Sequence, residues 1–303
     1  MKHALVAVLL LGLAACGGEA GADVPEVTAK VTVAEPIGVA TGAGSIWVAS
    51  FADDAVIRID PETKRVIARI RVGGGPIGVG FGGGSAWSAD WSAGTVTRID
   101  PATNKAVATI EVAEGPEGAA WGHGSFWTSN KSGTVSRIDP GTNREVARIE
   151  VGPELRYLAA TADAVWVASF DDSTLHRIDP RTNRVDKTVP AGSGPQGVAA
   201  RDGALWVASY DTDAVLELDP VTGALRRTVA LPAGSGPEGV AADGEALWVA
   251  NNRGASVSRV DTGSGEVTAT VKAGVGPRGI AVGAGTAWVA NTVSGNVAAV
   301  GQP

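Results

Sequence analysis

The chain has 303 residues, 44% hydrophobic and 19% charged, which is typical of a folded globular protein and excludes disorder as its main state. Its 42 glycines and 16 prolines, with 9 tryptophans but few other large side chains, favour a turn-rich β architecture. The net charge of −7 gives little support for a phosphate-binding surface, so we do not expect nucleic acid as a partner.

The first residues have the pattern of an export signal. A basic start at residues 1–3 precedes an apolar run over residues 4–15 that is too short to span a membrane as a helix. The run ends in Leu-Ala-Ala-Cys-Gly, which resembles the lipobox of bacterial lipoproteins, where the cysteine is acylated and becomes the first residue of the mature chain. The resemblance implies a lipid anchor on Cys16, with an ordinary cleavage site beside an unused thiol as the alternative.

These features predict three segments. Residues 1–15 form a lipoprotein signal peptide, residues 16–25 a small and acidic tether, and residues 26–303 the folded domain. Because Cys16 is the only cysteine, an internal disulfide is impossible. We therefore expect an exported protein that meets the membrane through its lipid anchor alone and faces the cell surface or the periplasm.

A repeat of 39 to 42 residues organises the rest of the chain. Its most regular member is a tryptophan, found at Trp47, Trp87, Trp127, Trp166, Trp206, Trp248 and Trp288. Nine residues earlier stands a glycine, replaced once by tyrosine: Gly38, Gly78, Gly118, Tyr157, Gly197, Gly239 and Gly279. Each unit offers four short strands, A to D, which contain the glycine, the tryptophan, an Arg-Ile-Asp segment and a final alternating segment. This pattern predicts a seven-bladed β-propeller with four antiparallel strands per blade.

The seventh unit ends after strand C and lacks strand D. The segment Glu-Val-Thr-Ala-Lys-Val at residues 26–31 closely resembles Glu-Val-Thr-Ala-Thr-Val at residues 266–271, which is strand D of the sixth unit. We expect the N-terminal strand to complete the last blade by pairing with residues 297–300, because this removes two exposed sheet edges. A closed ring of this kind is expected to be monomeric.

Three segments carry a family resemblance. Ile-Trp-Val-Ala-Ser at residues 46–50, Arg-Ile-Asp-Pro-x-Thr-Asn at 98–104 and Gly-Pro-x-Gly-Val-Ala at 194–199 resemble the YVTN-type repeat of bacterial seven-bladed propellers. The resemblance extends over residues 26–300 and implies the fold, but such repeats have structural, binding and occasionally enzymatic roles. Streptogramin B lyases and gluconolactonase-type propellers resemble the chain more distantly.

The regular residues of the repeat are expected to be structural. Asp followed by Pro favours a type I turn, with Asn104, Asn143, Asn183 or Gly223 in a conformation with positive φ. The seven repeat tryptophans are expected in the core.

Candidate binding residues are therefore those that the repeat does not dictate. In propellers the B-to-C and D-to-A connections share one face, the funnel face, around the central channel. A first ring, four positions after each tryptophan, comprises Phe51, Trp91, Lys131, Phe170, Tyr210, Asn252 and Thr292. A second ring, one position before strand A's glycine, comprises Ile37, Ile77, Glu117, Arg156, Gln196, Glu238 and Arg278, with Tyr157 beside it.

Aromatic, acidic and arginine side chains around a funnel suit a polar, partly planar or sugar-like ligand. The alternative is that Glu117 with Arg156, and Glu238 with Arg278, merely pair across adjacent blades while the aromatic residues pack on loop stems. No cofactor is predicted. The acidic pairs at 53–54, 171–172 and 211/213 are expected to be solvated loop residues. The alternative is that one of these pairs binds a divalent cation.

An enzyme is the second interpretation. The resemblance to streptogramin B lyases implies a histidine as the proton-transfer group at the funnel. His123 is expected on the opposite face and His176 inside strand C of blade 4, so no catalytic residue is assigned. A metal site like that of gluconolactonases would need converging oxygen ligands, for which Glu117, Glu238, Asp90, Asn130 and Asn251 are candidates.

The sequence thus predicts a membrane-anchored extracytoplasmic propeller that binds a small molecule, glycan, peptide or protein at its funnel face. The alternatives are a lyase-like or metal-dependent lactonase-like enzyme and a purely structural interaction module of the cell envelope.

Overall fold

The protein forms a seven-bladed β-propeller, as the sequence predicted. The structure is a computed structural model that describes residues 24–201, 203–283 and 285–301. Seven four-stranded antiparallel sheets surround one axis, and the innermost strands of adjacent blades contact one another in a closed ring. Among these residues no helix is long and apolar enough to cross a membrane. Cys16, the signal peptide and nearly all of the tether lie outside the described residues.

The strands follow one another from the axis outwards in every blade. Blade 1 contains β2 (Pro36–Gly42), β3 (Ser45–Ser50), β4 (Ala55–Asp60) and β5 (Arg65–Arg71). Blade 2 contains β6 (Pro76–Gly82), β7 (Ser85–Asp90), β8 (Thr95–Asp100) and β9 (Lys105–Glu111). Blade 3 contains β10 (Ala120–Gly122), β11 (Ser125–Ser129), β12 (Thr134–Asp139) and β13 (Arg144–Glu150). Blade 4 contains β14 (Leu155–Ala160), β15 (Val165–Ser169), β16 (Thr174–Asp179) and β17 (Arg184–Pro190).

The remaining blades have the same order. Blade 5 contains β18 (Pro195–Arg201), β19 (Ala204–Ser209), a 3₁₀ turn (Tyr210–Thr212), β20 (Ala214–Leu218) and β21 (Leu225–Ala230). Blade 6 contains β22 (Pro237–Asp243), β23 (Ala246–Asn251), β24 (Ser256–Asp261) and β25 (Val267–Lys272). Blade 7 contains β26 (Pro277–Gly283), β27 (Thr286–Asn291), β28 (Asn296–Gly301) and the N-terminal β1 (Glu26–Thr32).

Burial explains the different composition of the strands. Every residue of β3 is buried, because strand B is covered on both faces by neighbouring sheets. The outer strand β5 instead alternates exposed with covered side chains. Blade 3 departs from the regular pattern, since its inner strand β10 has 3 residues. There the Ser129 hydroxyl donates to the Arg156 carbonyl at 2.5 Å and accepts from the Gly118 amide at 2.9 Å, which replaces part of the backbone pairing.

The predicted ring closure is confirmed. β1 pairs antiparallel with β28 from Glu26 opposite Gly301 to Thr32 opposite Asn296. Val31 and Val33 of this segment are buried and belong to a core cluster that also contains Trp288 of blade 7 and residues of blade 1. β1 therefore both completes blade 7 and packs it against blade 1.

The predicted roles of the regular residues are also confirmed. All seven repeat tryptophans are at most 5% exposed and join core clusters that link one blade to the next. In the Asp-Pro turns, φ is +56° at Asn104, +53° at Asn143, +54° at Asn183 and +72° at Gly223. The turn aspartates accept backbone hydrogen bonds; at Asp60 the amide of Thr63, 2.8 Å away, lowers the pKa of the carboxyl group.

An arginine in strand C connects blades in a way that the sequence analysis did not anticipate. Arg58 donates through Nε to the Ser45 hydroxyl at 2.9 Å and through Nη1 to the Pro101 carbonyl of blade 2 at 2.6 Å. Its guanidinium carbon also lies 4.8 Å from the centroid of the Trp47 ring. Arg98 and Arg137 repeat this arrangement between blades 2 and 3 and between blades 3 and 4. These contacts hold consecutive blades in register at their outer turns.

Candidate functional site

The inner strands surround a narrow axial channel with a volume of about 100 Å³. Six of the seven repeat positions are glycines, and five of them line the channel, because adjacent inner strands approach too closely there for a side chain. A Cβ atom at Gly78 would lie 2.2 Å from the Glu117 carbonyl oxygen, and one at Gly239 would lie 2.2 Å from that of Arg278. Tyr157 occupies the seventh position, and its side chain lines the channel.

The second ring forms the base of the funnel, where its charged residues pair across adjacent blades. Arg156 Nη1 lies 3.4 Å from Glu117 Oε2, and Arg278 Nε lies 2.5 Å from Glu238 Oε1. Both ion pairs weighed in the sequence analysis are therefore present. Arg156 also contacts Glu154 at 3.3 Å, a residue that the sequence analysis did not single out. The opposite side of this ring is apolar, since Ile37 and Ile77 are buried there.

Burial controls the electrostatics of this cluster. It raises the pKa of Glu117, although Arg156 and Arg278 act in the opposite direction. Burial also raises the pKa of the Tyr157 hydroxyl, which therefore stays protonated near neutral pH. For Arg278, burial lowers the pKa, but the carboxylate of Glu238 beside it raises the pKa more, so the guanidinium remains charged.

Two polar atoms of the cluster have no hydrogen-bond partner among the described residues. They are the Tyr157 hydroxyl and Arg156 Nε, both buried. A buried donor without a partner is energetically unfavourable, typically by about 1–3 kcal/mol. Both atoms can donate a hydrogen bond, so they are two unused donors at the funnel base.

The first ring lies above this base and combines aromatic rings with cations. Lys131 Nζ lies 5.5 Å from the Trp91 ring centroid, and the Arg156 guanidinium carbon lies 5.2 Å from that of Phe170. Phe170 and Tyr210 are neighbours, with centroids 6.4 Å apart. Phe51 is half-buried at the equivalent position of blade 1. The structure therefore brings the aromatic residues of blades 4 and 5 together, while those of blades 1 and 2 lie on the apolar side of the funnel.

Asn252 and Thr292 connect the first ring to the framework. Asn252 Nδ2 donates to the Pro277 carbonyl at 3.2 Å, and Thr292 Oγ1 donates to the Pro36 carbonyl at 2.7 Å. Each bond joins one blade to the next around the ring.

Arg253 is a cation that the sequence analysis missed. Its guanidinium carbon lies 4.1 Å from the Tyr210 centroid, and its Nη2 atom lies 2.7 Å from Asp211 Oδ1. Arg253 directly follows the first-ring position of blade 6. The sequence contains no signal for this contact, because Tyr210 and Asp211 belong to blade 5.

The acidic pairs of the B-to-C connections stabilise loops. Asp54 accepts a hydrogen bond from the Gly75 amide at 2.9 Å, and Asp213 accepts from Gly234 and Gly236 at 2.7 and 2.8 Å. Across residues 24–201, 203–283 and 285–301, no group of three or more His, Cys, Asp or Glu side chains is arranged to hold a metal ion.

The amide and carboxylate candidates at the end of strand B do not converge on the axis. Asp90 accepts hydrogen bonds from the hydroxyls of Ser88 and Thr97 at 2.7 and 2.6 Å, within its own blade, and burial raises the pKa of its carboxyl group. Asn130 and Asn251 likewise donate to strand C of their own blades. A metal site like that of gluconolactonases would need these three residues to converge with Glu117 and Glu238, and they do not, because each of the three is hydrogen-bonded to strand C of its own blade.

Neither described histidine belongs to the funnel. His123 lies in the turn between β10 and β11, on the opposite face, with Nε2 3.3 Å from the Ala164 carbonyl. His176 is buried in β16, where its ring nitrogens contact the hydroxyls of Thr174 and Thr188 at 3.2 and 3.0 Å. Burial lowers the pKa of His176.

Solved structures with the same fold have low sequence identity to this chain. A streptogramin B lyase superposes with a TM-score of 0.79 and 14% identity over 90% of this chain and 95% of the other. A catalytically inactive histidine-to-alanine variant of virginiamycin B lyase from Staphylococcus aureus, with quinupristin, superposes with a TM-score of 0.80 and 15% identity. The match covers 91% of this chain and 99% of the other. Hydrazine synthase from Kuenenia stuttgartiensis superposes with a TM-score of 0.80 and 15% identity over 90% of this chain and 97% of the other. At such identities these likenesses establish the fold alone.

No curated protein sequence matches the chain. The sequence does match the family model described as the virginiamycin B lyase family, over residues 102–302. This segment is more than half of the chain and contains the outer strand β9 of blade 2, blades 3 to 6, and β26, β27 and β28 of blade 7. The propeller geometry, the repeat and this match agree, and the chain belongs to the virginiamycin B lyase family.

Proposed function

We propose that this propeller binds a ligand at its funnel face through the two rings and Tyr157. The observation that carries the proposal is the aromatic character of Phe51, Trp91, Phe170 and Tyr210 at a position where the repeat also accepts Asn252 and Thr292. The rings of Phe51, Trp91 and Phe170 lie beside glycines of the D-to-A connections, but blade packing itself does not require an aromatic residue at this position. Aromatic rings and a few convergent polar groups are the usual lining of a ligand site.

The distribution of charge indicates how the ligand would be oriented. Ile37, Ile77, Phe51 and Trp91 make the sector of blades 1 and 2 apolar, whereas the four charged residues of the second ring come from blades 3, 4, 6 and 7. A ligand with a flat apolar group on one side and a carbonyl or carboxylate on the other would match both sectors. Its acceptor would receive hydrogen bonds from the Tyr157 hydroxyl and Arg156 Nε, the two donors without partners. Small amphipathic molecules, glycans and peptides contain such groups.

The Trp91→Ala/Phe170→Ala variant is expected to weaken binding at least tenfold. An aromatic contact contributes about 0.5–1.5 kcal/mol beyond area burial, so two contacts contribute about 1–3 kcal/mol, or roughly 5- to 150-fold in Kd. The lost burial of apolar area adds to this and brings the expected change above tenfold. Thermal shift with soluble glycans, peptides, lactones and quinupristin, followed by titration of any ligand found, measures the effect.

The melting temperature of the double variant without ligand is the control. It should change little, because Trp91 and Phe170 are only partly buried. If the variant loses much stability and no ligand distinguishes it from the wild type, the aromatic residues are packing elements and the proposed site is wrong.

A lyase is the second candidate, and family membership favours it. One structural neighbour is a virginiamycin B lyase that is inactive as a histidine-to-alanine variant and is crystallised with quinupristin. In this chain the two described histidines are engaged elsewhere, which favours binding over a histidine-dependent reaction. Incubation with quinupristin, followed by liquid chromatography and mass spectrometry, separates the two candidates. Conversion that disappears in Glu117→Gln or Arg278→Gln would establish the enzyme.

We also propose that the propeller is held on the extracytoplasmic side of a membrane by lipid on Cys16. The support is the short apolar run that ends in a lipobox-like segment. Cys16→Ala is expected to release the protein from the membrane fraction or to leave its signal uncleaved, since the acyl chains would be missing. Fractionation and intact-mass measurement test this. Unchanged membrane retention with a processed N-terminus would show that a different anchor is responsible.

A further inference from the structure

The seven outer strands differ in charge. β5, with the sequence Arg-Val-Ile-Ala-Arg-Ile-Arg, carries three arginines and no acid. β13 balances two arginines with two glutamates. The arginines of β21 are neutralised by their neighbours, since Arg226 pairs with Asp219 and Arg227 with Glu217, both at 2.5 Å. The outer edge of blade 1 is therefore exceptional in a protein whose net charge is −7.

The positive charges of this edge are exposed and mostly unpaired. Within the described parts of the chain, Arg65 and Arg71 have no ion-pair partner, and the pair of Arg69 with Asp53 at 3.2 Å is itself exposed. Lys64 precedes the strand, and Lys30 lies on the neighbouring β1. We call this set the basic edge: Lys30, Lys64, Arg65, Ile67, Arg69 and Arg71.

The basic edge also presents an apolar side chain. Val66 pairs with Ile59 and Ala68 with Arg58, so Ile67 is left between them as the extra residue of a β-bulge. Its side chain is 49% exposed. An open groove of about 600 Å³ lies at the other end of β5, lined by Arg69 and Arg71 with Thr32 and Asp53 among others. Cations around an exposed aliphatic side chain suit the boundary between lipid headgroups and acyl chains.

The N-terminal segment places this edge close to the anchoring residue. Lys64 Nζ donates to the Thr28 hydroxyl of β1 at 3.0 Å, two residues after the start of that strand. Nine residues lie between Cys16 and Glu26, so ten Cα–Cα steps join them. Ten residues can span at most about 35 Å, so a lipid on Cys16 would keep the basic edge within reach of the bilayer.

We infer that the basic edge binds the anionic phospholipid headgroups of the membrane that holds the lipid anchor. The protein would then have a second membrane contact, whereas the sequence analysis expected the anchor alone. This inference rests on the proposed acylation of Cys16. The arginines and lysines would meet the negative surface potential, and Ile67 would enter the interface. Because the outer strands lie at the perimeter, the propeller would rest on its edge. The funnel face would then remain open to solvent and to its ligand.

The test uses the full-length, lipidated protein on two kinds of vesicle, one of phosphatidylcholine and one of equal parts phosphatidylcholine and phosphatidylglycerol. Amide hydrogen exchange across residues 64–71 is the readout. We expect slower exchange on the anionic vesicles, confined to blade 1 and β1. In the Arg65→Gln/Arg71→Gln variant, the ratio of protein whose basic edge lies on the bilayer to protein whose basic edge is free should fall roughly 25-fold. Each basic residue is expected to change this ratio about fivefold. The protection should then be lost.

The matched control is Arg144→Gln/Arg184→Gln. Arg144 and Arg184 occupy the position of Arg65 in blades 3 and 4, and both are exposed. Their substitution removes the same total charge as the Arg65→Gln/Arg71→Gln variant. The control should keep the protection. Equal exchange on both vesicles, or equal loss in both variants, would overturn the inference while leaving the lipid anchor intact. Association with anionic vesicles alone would show that the lipid does not hold the protein by itself and that the basic edge is needed as well. Association with neither kind of vesicle would refute both the anchor and the basic edge.

Discussion

Without its first 34 residues, the protein is expected to dimerise or aggregate, whereas without its first 23 residues it should stay monomeric. The longer truncation removes β1 and exposes the edge of β28, whose backbone groups then lack partners between Asn296 and Gly301. It also removes Val31 and Val33 from the cluster around Trp288, and burial of each valine contributes about 1.5–3 kcal/mol. The melting temperature should therefore fall as well.

Size-exclusion chromatography with light scattering and thermal unfolding measure these two effects. The shorter truncation is the matched control, because it ends before β1 and keeps every pair with β28. A chain without residues 1–34 that remains monomeric with an unchanged melting temperature would contradict the closing role of β1.

Trp127→Ala is expected to lower the free energy of unfolding by about 3–5 kcal/mol, the usual range for a buried tryptophan. The Trp127 side chain is fully buried and packs in a cluster with Leu155 and Val165 of blade 4. Its indole nitrogen donates to the Gly122 carbonyl at 3.0 Å, and the Arg137 guanidinium lies over its ring. The substitution therefore leaves a cavity between blades 3 and 4 and removes the surface on which Arg137 rests.

Urea unfolding of wild type, Trp127→Ala, Trp127→Phe and Trp91→Ala gives the comparison. The free energy of unfolding should fall less in Trp127→Phe than in Trp127→Ala, because the phenylalanine ring still fills most of the site. The free energy of unfolding should fall little in Trp91→Ala, since Trp91 is only partly buried at the funnel. Equal losses for Trp91→Ala and Trp127→Ala would show that the two tryptophans have the same packing role, and the distinction between core and funnel would be wrong.

The number of blades, the closing strand and the turns could be predicted from the sequence, because each depends on local patterns. The tryptophan repeat sets the blades, and alternation of apolar with charged residues identifies the outer strands. The turn asparagines adopt positive φ because their own side chains tolerate it, whatever the rest of the fold. The resemblance of residues 26–31 to residues 266–271 was sufficient to predict the pairing of β1 with β28.

The sequence also determined which residues stand at each repeat position, and therefore which residues make up the two rings. Their partners were decided by tertiary structure alone. The repeat does not show that Arg253 would cover Tyr210 of the preceding blade, or that Arg58 would bind the turn of the following one. Nor does it show that Asp90 would turn away from the axis to the hydroxyls of its own blade. The physical reason is that contacts between blades join residues about one repeat apart, and their geometry depends on how neighbouring sheets pack and on which buried polar groups must find partners.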